Sequence, residues 1–366
     1  IQVSASLGIT FFPQGENIDP DHLLRQADQA MYQAKISGKN RYHIFDTEKD
    51  DFIRERFEDL QRLDEALEND EFILYYQPKV NMRTGKVIGV EALIRWDNPQ
   101  KGLMLPNDFL PLMEGHDLSI ALGEWVMRSA LRQIQLWQNM GIAMPISINI
   151  TALQLLSNNF LEEFQKILLE FPDVKPSFLE VEVLETSKIE DLSQASKVIN
   201  SCKKFGVHFS LDDFGTGYSS LTYLKRLAIT YIKIDQSFVR DMLQDPSNLA
   251  ILEGIIKLSE SFGVQVIAEG VETLEHGNTL LGLGCEFAQG YFISPPMPCE
   301  SFPDWLRAWK PDASWTEQSR MNDNQSKVLF AGVEHRAWIA SIDAFLKGEI
   351  EIDAIDNIEE CNFGGW

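Results

Sequence analysis

Apolar and polar residues alternate with two different periods along this chain, and the switches between them mark its elements. Short apolar runs of strand character recur from residue 72 onward: FILYYQPKV, KVIGVEALI, PISINI, FLEVEV, VHFSLD, TYIKI, VQVIAE and EFAQGYF. Between most of them lie longer stretches with helical spacing, for example LGEWVMRSALRQIQLWQNM and NLAILEGIIKLSESFG. Strand and helix in repeated alternation over this length predict a parallel-rich closed barrel, a modified TIM-type (β/α)8 fold of the α/β class. An open doubly wound sheet is the competing arrangement, but no glycine-rich phosphate loop follows the first strand.

The flanks differ from this repeat. Residues 1–48 read as a strand, VSASLGITFF, then a helix in which Leu23, Leu24, Ala27, Ala30, Met31 and Ala34 share one face, then the short strand RYHIF. Gly38 is a natural helix stop. This is a partial α/β domain. Residues 49–71 are a charged amphipathic helix that serves as connector, and 72–310 hold the barrel. From 311 to 366 the chain turns polar, with PDASW and QSRMNDNQSK read as a linker before the helix VEHRAWIASIDAFLKG and a last stretch, CNFGGW. The expectation there is a helical tail.

Composition narrows the classes. Hydrophobic residues make up 44% and charged residues 24%, as in an ordinary globular protein, and no apolar run reaches the length of a membrane span. A net charge of −23 argues against a nucleic-acid duplex as partner, since no basic stripe is available to displace counterions. Cys202, Cys285, Cys299 and Cys361 are scattered without CxxC spacing, which fits a reducing compartment. The expected location is cytoplasmic, without membrane contact in this stretch, and a parent protein can still be membrane-anchored upstream.

Candidate chemistry sits at the ends of the predicted strands. Glu91 and Arg95 lie at the end of the second, Asn149 ends the third, Glu182 the fourth, and Asp212 and Asp213 the fifth. Lys233 lies near the end of the sixth, Glu269 ends the seventh, and Gln289 lies in the eighth. The C-terminal strand face of such barrels carries the chemistry. Any one of these residues could be a paired barrel-mouth side chain, and a purely structural cluster is the bland alternative. As a set, five carboxylates facing one lysine resist joint ionisation unless cations join them. Oxygen-only ligands, with carbonyls from Asn149 and Gln289, suit Mg²⁺ or Mn²⁺ rather than zinc. Two such ions about 3.5–4 Å apart can clamp an in-line phosphoryl displacement and activate water.

The segments EALIRW (91–96), SINI (147–150), EVLET (182–186), DDFGTGYSSLTYL (212–224), IKIDQSFV (232–239), AEGVET (268–273) and QGYFISPP (289–296) together resemble the EAL domain, over about residues 54–310. That resemblance implies hydrolysis of cyclic-di-GMP to linear 5′-pGpG on two divalent metals. It implies Glu91, Asn149, Glu182, Asp212, Asp213, Glu269 and Gln289 as metal ligands, with Lys233, Glu269 and Glu91 as catalytic residues. Gln77, Leu93, Arg95, Asp213, Gly270, Glu272, Gln289 and Pro296 correspond to substrate contacts. Glu185, Phe214, Gly215, Thr216 and Gly217 correspond to the family's loop and its homodimer contact. The chain departs from the common pattern at Leu184, Ala228 and Pro295, none of which is a ligand position. A module that binds cyclic-di-GMP without hydrolysing it is the alternative within the family.

Residues 1–45 resemble the last third of a GGDEF domain, without the Gly-Gly-acidic-acidic-Phe loop that defines it. His335 and Trp338 (HRAW) with Cys361, Phe363, Gly364 and Trp366 (CNFGGW) resemble the first half of a chemoreceptor-type zinc-binding (CZB-like) bundle. His335 and Cys361 are then half of a Zn²⁺ site to be completed in a longer chain.

Overall fold

The eight apolar runs all become strands of one sheet, and that sheet closes on itself. The protein is described here by a computed structural model, which covers residues 5–13, 19–36, 40–45, 47–184, 192–216 and 220–349. It divides into two compact units, residues 1–69 and 70–366.

In the first unit β1 (Leu7–Ile9) pairs in parallel with β2 (Tyr42–Ile44), and the helix Pro20–Ile36 crosses between them. The helix Thr47–Glu68 follows. A Cβ at Gly8 would lie 1.9 Å from the Ala27 carbonyl oxygen, so glycine is what allows β1 to lie against the helix. Ala30 and Ala34 are buried as the apolar stripe predicts, whereas Leu24 is 66% exposed. Gln26 is buried instead, accepting a hydrogen bond from Thr10 Oγ1 at 2.8 Å.

The second unit contains β3 (Phe72–Asn81), β4 (Val87–Asn98), β5 (Gly102–Met104), β6 (Ile146–Ile150), β7 (Leu179–Leu184), β8 (His208–Phe214), β9 (Tyr231–Ile234), β10 (Gln265–Ala268), β11 (Phe287–Ala288) and β12 (Met297–Pro298). The strands β4, β6, β7, β8, β9, β10 and β11 pair in parallel, each with the next. β3 closes the ring and runs against both its neighbours, β4 and β11. Its reversal follows from its connection. Only five residues separate β3 from β4, with Gly85 at φ +70° in the turn, and so short a link joins antiparallel strands. The parallel crossovers are spanned by longer helices, among them Leu118–Asn139, Phe160–Glu170, Leu192–Lys204, Pro246–Phe262 and Leu274–Leu283.

Period-two alternation sorts each strand's residues. Outward-facing Ile148, Val181, Val183, Leu211, Ile232 and Ile234 join Met127, Leu131, Ile134, Phe164, Ile199, Leu252 and Ile256 of the helices in one apolar cluster. Each such side chain stabilises the fold by roughly 1.5–3 kcal/mol through burial. The inward-facing residues are polar, and most are as deeply buried, among them Glu91, Glu182 and Lys233, while Asn149 is exposed. Among the described residues, Cys202, Cys285 and Cys299 are free thiols.

The polar stretch read as a linker holds the short helix Ala313–Glu317, in which Trp315 is 0% exposed. Trp315 packs 5.4 Å from the Phe292 ring, and a Cβ at Gly277 would lie 2.4 Å from its indole. The helix Asp323–Lys347 opens on a capping box at Asn322 and closes on Gly348 at φ +76°. It lies along Pro246–Phe262, with Ser326 Oγ donating to Glu253 at 3.0 Å and Arg336 Nε donating to the Leu243 carbonyl at 3.1 Å. Among the described residues no helix is long and apolar enough to cross a membrane.

Candidate active site

Strand alternation stacks the inward residues of the barrel in two layers. Gln77 and Lys79 of β3, Glu91 of β4, Ser147 and Asn149 of β6, Glu180 and Glu182 of β7, Ser210 and Asp212 of β8 and Lys233 of β9 all point to the axis. The register pairs Gln77 with Glu91, Glu91 with Ser147, Asn149 with Glu182 and Glu182 with Ser210. Glu269 follows β10 and Gln289 follows β11, each held by a backbone hydrogen bond to the neighbouring strand.

Lys233 is the centre of the upper layer. Its Nζ lies 3.1 Å from Glu91, 2.5 Å from Glu182, 3.1 Å from Asp212 and 2.7 Å from Glu269. Burial alone would lower its pKa, but the four carboxylates outweigh burial and raise it well above the ordinary lysine value. Burial works against Glu182 too, yet Lys233 and then Lys79 overcome it and hold this carboxyl down at about 2. The other acids are held up. Asp212 is raised well above its ordinary value by burial and by the charges of Glu269, Glu182 and Glu91, which Lys233 offsets only in part. Glu269 is raised to about 7 by burial and by Glu91 and Glu182, against the pull of Lys233. Asp213 is raised by burial and by Asp235.

A feature of β8 explains how consecutive residues serve one site. Strand alternation sends neighbours to opposite faces, but the β8–β9 register shifts between Leu211 and Phe214 and Asp213 takes φ +53°. Asp tolerates this left-handed backbone better than most residues. Asp212, Asp213 and Glu269 consequently bring carboxylate oxygens within 4.8 Å of one another, as do Glu91, Glu182 and Asp212. Gly215 follows at φ +105°, where a Cβ would lie 2.9 Å from the Phe238 ring. Phe214 is buried beneath it, and Thr216 Oγ1 donates to the Asp213 carbonyl at 2.8 Å.

The amides complete the donor set. Asn149 Nδ2 donates to Glu91 Oε1 at 2.8 Å. Gln289 Nε2 donates to Gln77 Oε1 at 2.9 Å and to Glu91 Oε2 at 2.7 Å, while the buried Gln289 Oε1 has no hydrogen-bond partner. Gln77 Nε2 donates to the Ser294 carbonyl at 3.1 Å. A buried oxygen acceptor without a donor, beside two triads of carboxylates, is the environment an oxygen-seeking divalent cation or its water satisfies.

Other expected contacts form the rim. The Arg95 guanidinium stacks 5.4 Å above the Tyr75 ring and donates to the Ile94 carbonyl at 2.8 Å. Leu93 lies between Glu91 and Arg95 on the same face and pairs with Tyr75. Gly270 takes φ +70° with its Cα hard against Gln236, where a Cβ would lie 2.6 Å away. Glu272 is exposed and paired with Arg240 Nε at 2.7 Å, and Pro296 is half-buried. His335 lies on the helix Asp323–Lys347, with its ring 6.1 Å from that of Trp338. Glu185, Gly217 and Cys361 lie outside the described residues.

One expectation needs correction. Five carboxylates were set against one lysine, but among the described residues two lysines are buried, and the second is Lys79. It reaches the axis from the reversed strand and donates to Ser147 Oγ at 3.0 Å, Glu180 Oε1 at 3.0 Å and Glu182 Oε1 at 3.2 Å. Glu180, a sixth interior carboxylate, also accepts from Ser210 Oγ at 3.0 Å. The signal was present: Lys79 stands two residues after Gln77 and Glu180 two before Glu182, so alternation puts each on the same face as a site residue. With these six carboxylates and two lysines ionised, the group carries an excess of four negative charges, which the buried Arg95 guanidinium offsets only in part.

Comparison with known proteins gives a consistent result. The family described as EAL domain matches residues 60–296, and that described as diguanylate cyclase, GGDEF domain matches residues 1–41. The chain is 40% identical over 301 residues to the bifunctional diguanylate cyclase/cyclic di-GMP phosphodiesterase MucR of Pseudomonas aeruginosa, covering 82% of this chain and 44% of that protein. It is 36% identical over 309 residues to the cyclic di-GMP phosphodiesterase PdeR of Escherichia coli, covering 84% and 46%. The chain thus spans less than half the length of these curated relatives. A solved structure of the PaMucR phosphodiesterase in complex with c-di-GMP superposes with a TM-score of 0.64 at 40% identity, covering 67% of this chain and 99% of that one.

Proposed function

The chain belongs to the EAL domain family, and from that premise we propose that its barrel hydrolyses cyclic-di-GMP to linear 5′-pGpG with two divalent cations, Mg²⁺ or Mn²⁺. The observation that carries this reading is the pair of carboxylate triads around Lys233, which share Asp212. Glu91, Glu182, Asp212, Asp213 and Glu269, with oxygens from Asn149 and Gln289, would hold the cations. Bound there, the cations polarise the scissile phosphate and lower the pKa of the attacking water.

The chain's own residues do the rest. Lys233 places a permanent positive charge where the phosphoryl oxygens gather negative charge as the water oxygen joins phosphorus and the P–O3′ bond breaks. Glu269, 2.7 Å from Lys233 at the end of β10, is placed to accept a hydrogen bond from the attacking water and the proton it gives up. Glu91 is fixed by Asn149, Gln289 and Lys233 together, so its oxygens have one orientation. Arg95, braced on Tyr75 at the rim, offers a planar donor fork to a phosphate, with Gln77, Leu93, Gly270, Glu272 and Pro296 lining the approach.

We also propose that the Asp212–Gly217 loop, with Glu185, mediates a homodimer of the domain. We assign residues 311–366 to a tail whose His335 and Cys361 supply half of a zinc site in a longer protein. Sedimentation of the chain with and without Thr216→Trp tests the first, and zinc content of a C-terminally extended chain tests the second.

The deciding experiment is incubation with cyclic-di-GMP and Mg²⁺ or Mn²⁺, followed by chromatography for pGpG. Turnover that disappears in Glu91→Gln, with the fold retained by circular dichroism, supports the hydrolase. Tight binding without turnover in either metal would make the domain a receptor.

A further inference from the structure

The lower layer of the barrel contains a buried ion pair that the hydrolysis scheme does not use. Lys79 enters opposite Gly89, where a Cβ would lie 3.6 Å from its Cε, so the lysine stem passes over a residue without a side chain. All three of its protons are spent, on Ser147, Glu180 and Glu182. The same Glu180 oxygen, Oε1, also accepts from Ser210 Oγ at 3.0 Å. Neither Lys79 nor Glu180 reaches Lys233, and Glu180 belongs to neither carboxylate triad. Their effect on the upper layer passes through Glu182. Lys79 holds Oε1 of that carboxylate at 3.2 Å, and only Oε2, at 2.5 Å from Lys233, is left toward the site.

From this we infer that Lys79 and Glu180 are positioning residues that set which divalent cation the site accepts, by confining Glu182 to a single ligating oxygen. The inference rests on the reading of Glu182 as a metal ligand. Mg²⁺ takes near-octahedral single oxygens at about 2.0–2.1 Å, whereas Ca²⁺ takes 6–8 oxygens and readily uses both atoms of one carboxylate. Both oxygens of Glu182 meet an ammonium, but Lys79 draws Oε1 into the lower layer, whereas Oε2 meets Lys233 among the triad carboxylates; a carboxylate held this way offers one oxygen to the first ion and does not chelate the second. Releasing Oε1 should therefore favour Ca²⁺ relative to Mg²⁺.

The test is calorimetric titration of the whole chain with MgCl₂ and with CaCl₂, without nucleotide. The variant Lys79→Met/Glu180→Gln removes both charges together, so the interior keeps its balance. Its Ca²⁺ affinity relative to Mg²⁺ is expected to rise about tenfold or more over wild type, the scale on which partners of metal ligands act. Lys79→Gln, which keeps a donor for Glu180, is the second variant and should shift the ratio the same way, while Lys79→Arg should restore it. An unchanged ratio in a folded variant, with or without a loss of stability, overturns the inference and leaves Lys79 as internal packing. Glu182→Gln separates the two levels. If it binds Mg²⁺ as wild type does, the ligand assignment fails; if it loses Mg²⁺ while the Lys79 variants keep the wild-type ratio, only the selectivity inference fails.

Discussion

Replacing Lys233 by methionine removes the charge at the centre of the site and keeps nearly the same volume. The ammonium lies within 3.1 Å of four carboxylates, three of them almost wholly shielded from solvent. One such contact at about 4 Å amounts to roughly 4 kcal/mol at an effective dielectric of about 20, before desolvation is subtracted. Breaking a buried pair by deleting one partner costs about 3–5 kcal/mol net. The metal-free variant should lose stability of that order, a fall in Tm of about 6–20 °C for a unit of this size. Protonation sets a limit to the loss. Asp212 and Glu269 already have raised pKa values, and without Lys233 both rise further. An acid whose pKa is raised on folding weakens the fold above that pKa and ceases to do so once pH falls below its unfolded value near 4. The destabilisation should therefore shrink as pH is lowered from 8 to 6. Divalent cations replace the lost charge, so Mg²⁺ should raise the Tm of Lys233→Met by more than that of wild type, while pGpG production is lost. Differential scanning calorimetry at three pH values, with EDTA and with Mg²⁺, measures all of this. Equal metal-free stability of variant and wild type, or an equal Mg²⁺ shift in the two, would refute the electrostatic account of the site.

Two other sites yield simpler expectations. Trp315→Ala should cost about 3–5 kcal/mol in urea denaturation, as large core truncations do, because the indole is fully buried against Phe292 and Gly277; a loss under about 1 kcal/mol would show that the Ala313–Glu317 helix is not part of the barrel's core. Burial lowers the pKa of His276, with Glu272 and Glu275 opposing. Above pH 7 the imidazole is neutral whether folded or not, but as pH falls through its ordinary value of about 6.5 the unfolded chain takes up the proton first and stability drops. Urea midpoints of His276→Gln should fall less between pH 7.5 and 5.5 than those of wild type, and parallel curves would remove His276 from the account.

Much of the proposed site is legible in the sequence. Glu91, Glu182, Asp212 and Lys233 stand at the ends of apolar runs, where a charge has no place unless it faces a partner, and the ordered motifs tied them to one family. Lys79 and Glu180 were as visible in the same strands, but nothing in a linear pattern says that Lys79 meets both Glu180 and Glu182, each more than 100 residues away. Trp315 sat in a polar stretch that reads as a linker, because a single buried indole sets no period. Leu24 shows the opposite failure: it fits the helical stripe and is exposed.

The amino-acid sequence by itself determined the eight apolar strands of the barrel, which strand residues share a face, and which acids are candidates for one site. These are local properties, set by side-chain period and chemistry. Three others belong to the tertiary structure: the reversal of β3, which sends Lys79 under the carboxylate cluster; the shift in β8 that brings Asp212 and Asp213 together with Glu269; and the ring of carboxylates around one ammonium. Periodicity says which face a side chain takes. It says nothing of strand direction, of register across the barrel, or of the summed charge that closure brings together, and those decide how the carboxylates titrate and what they can hold.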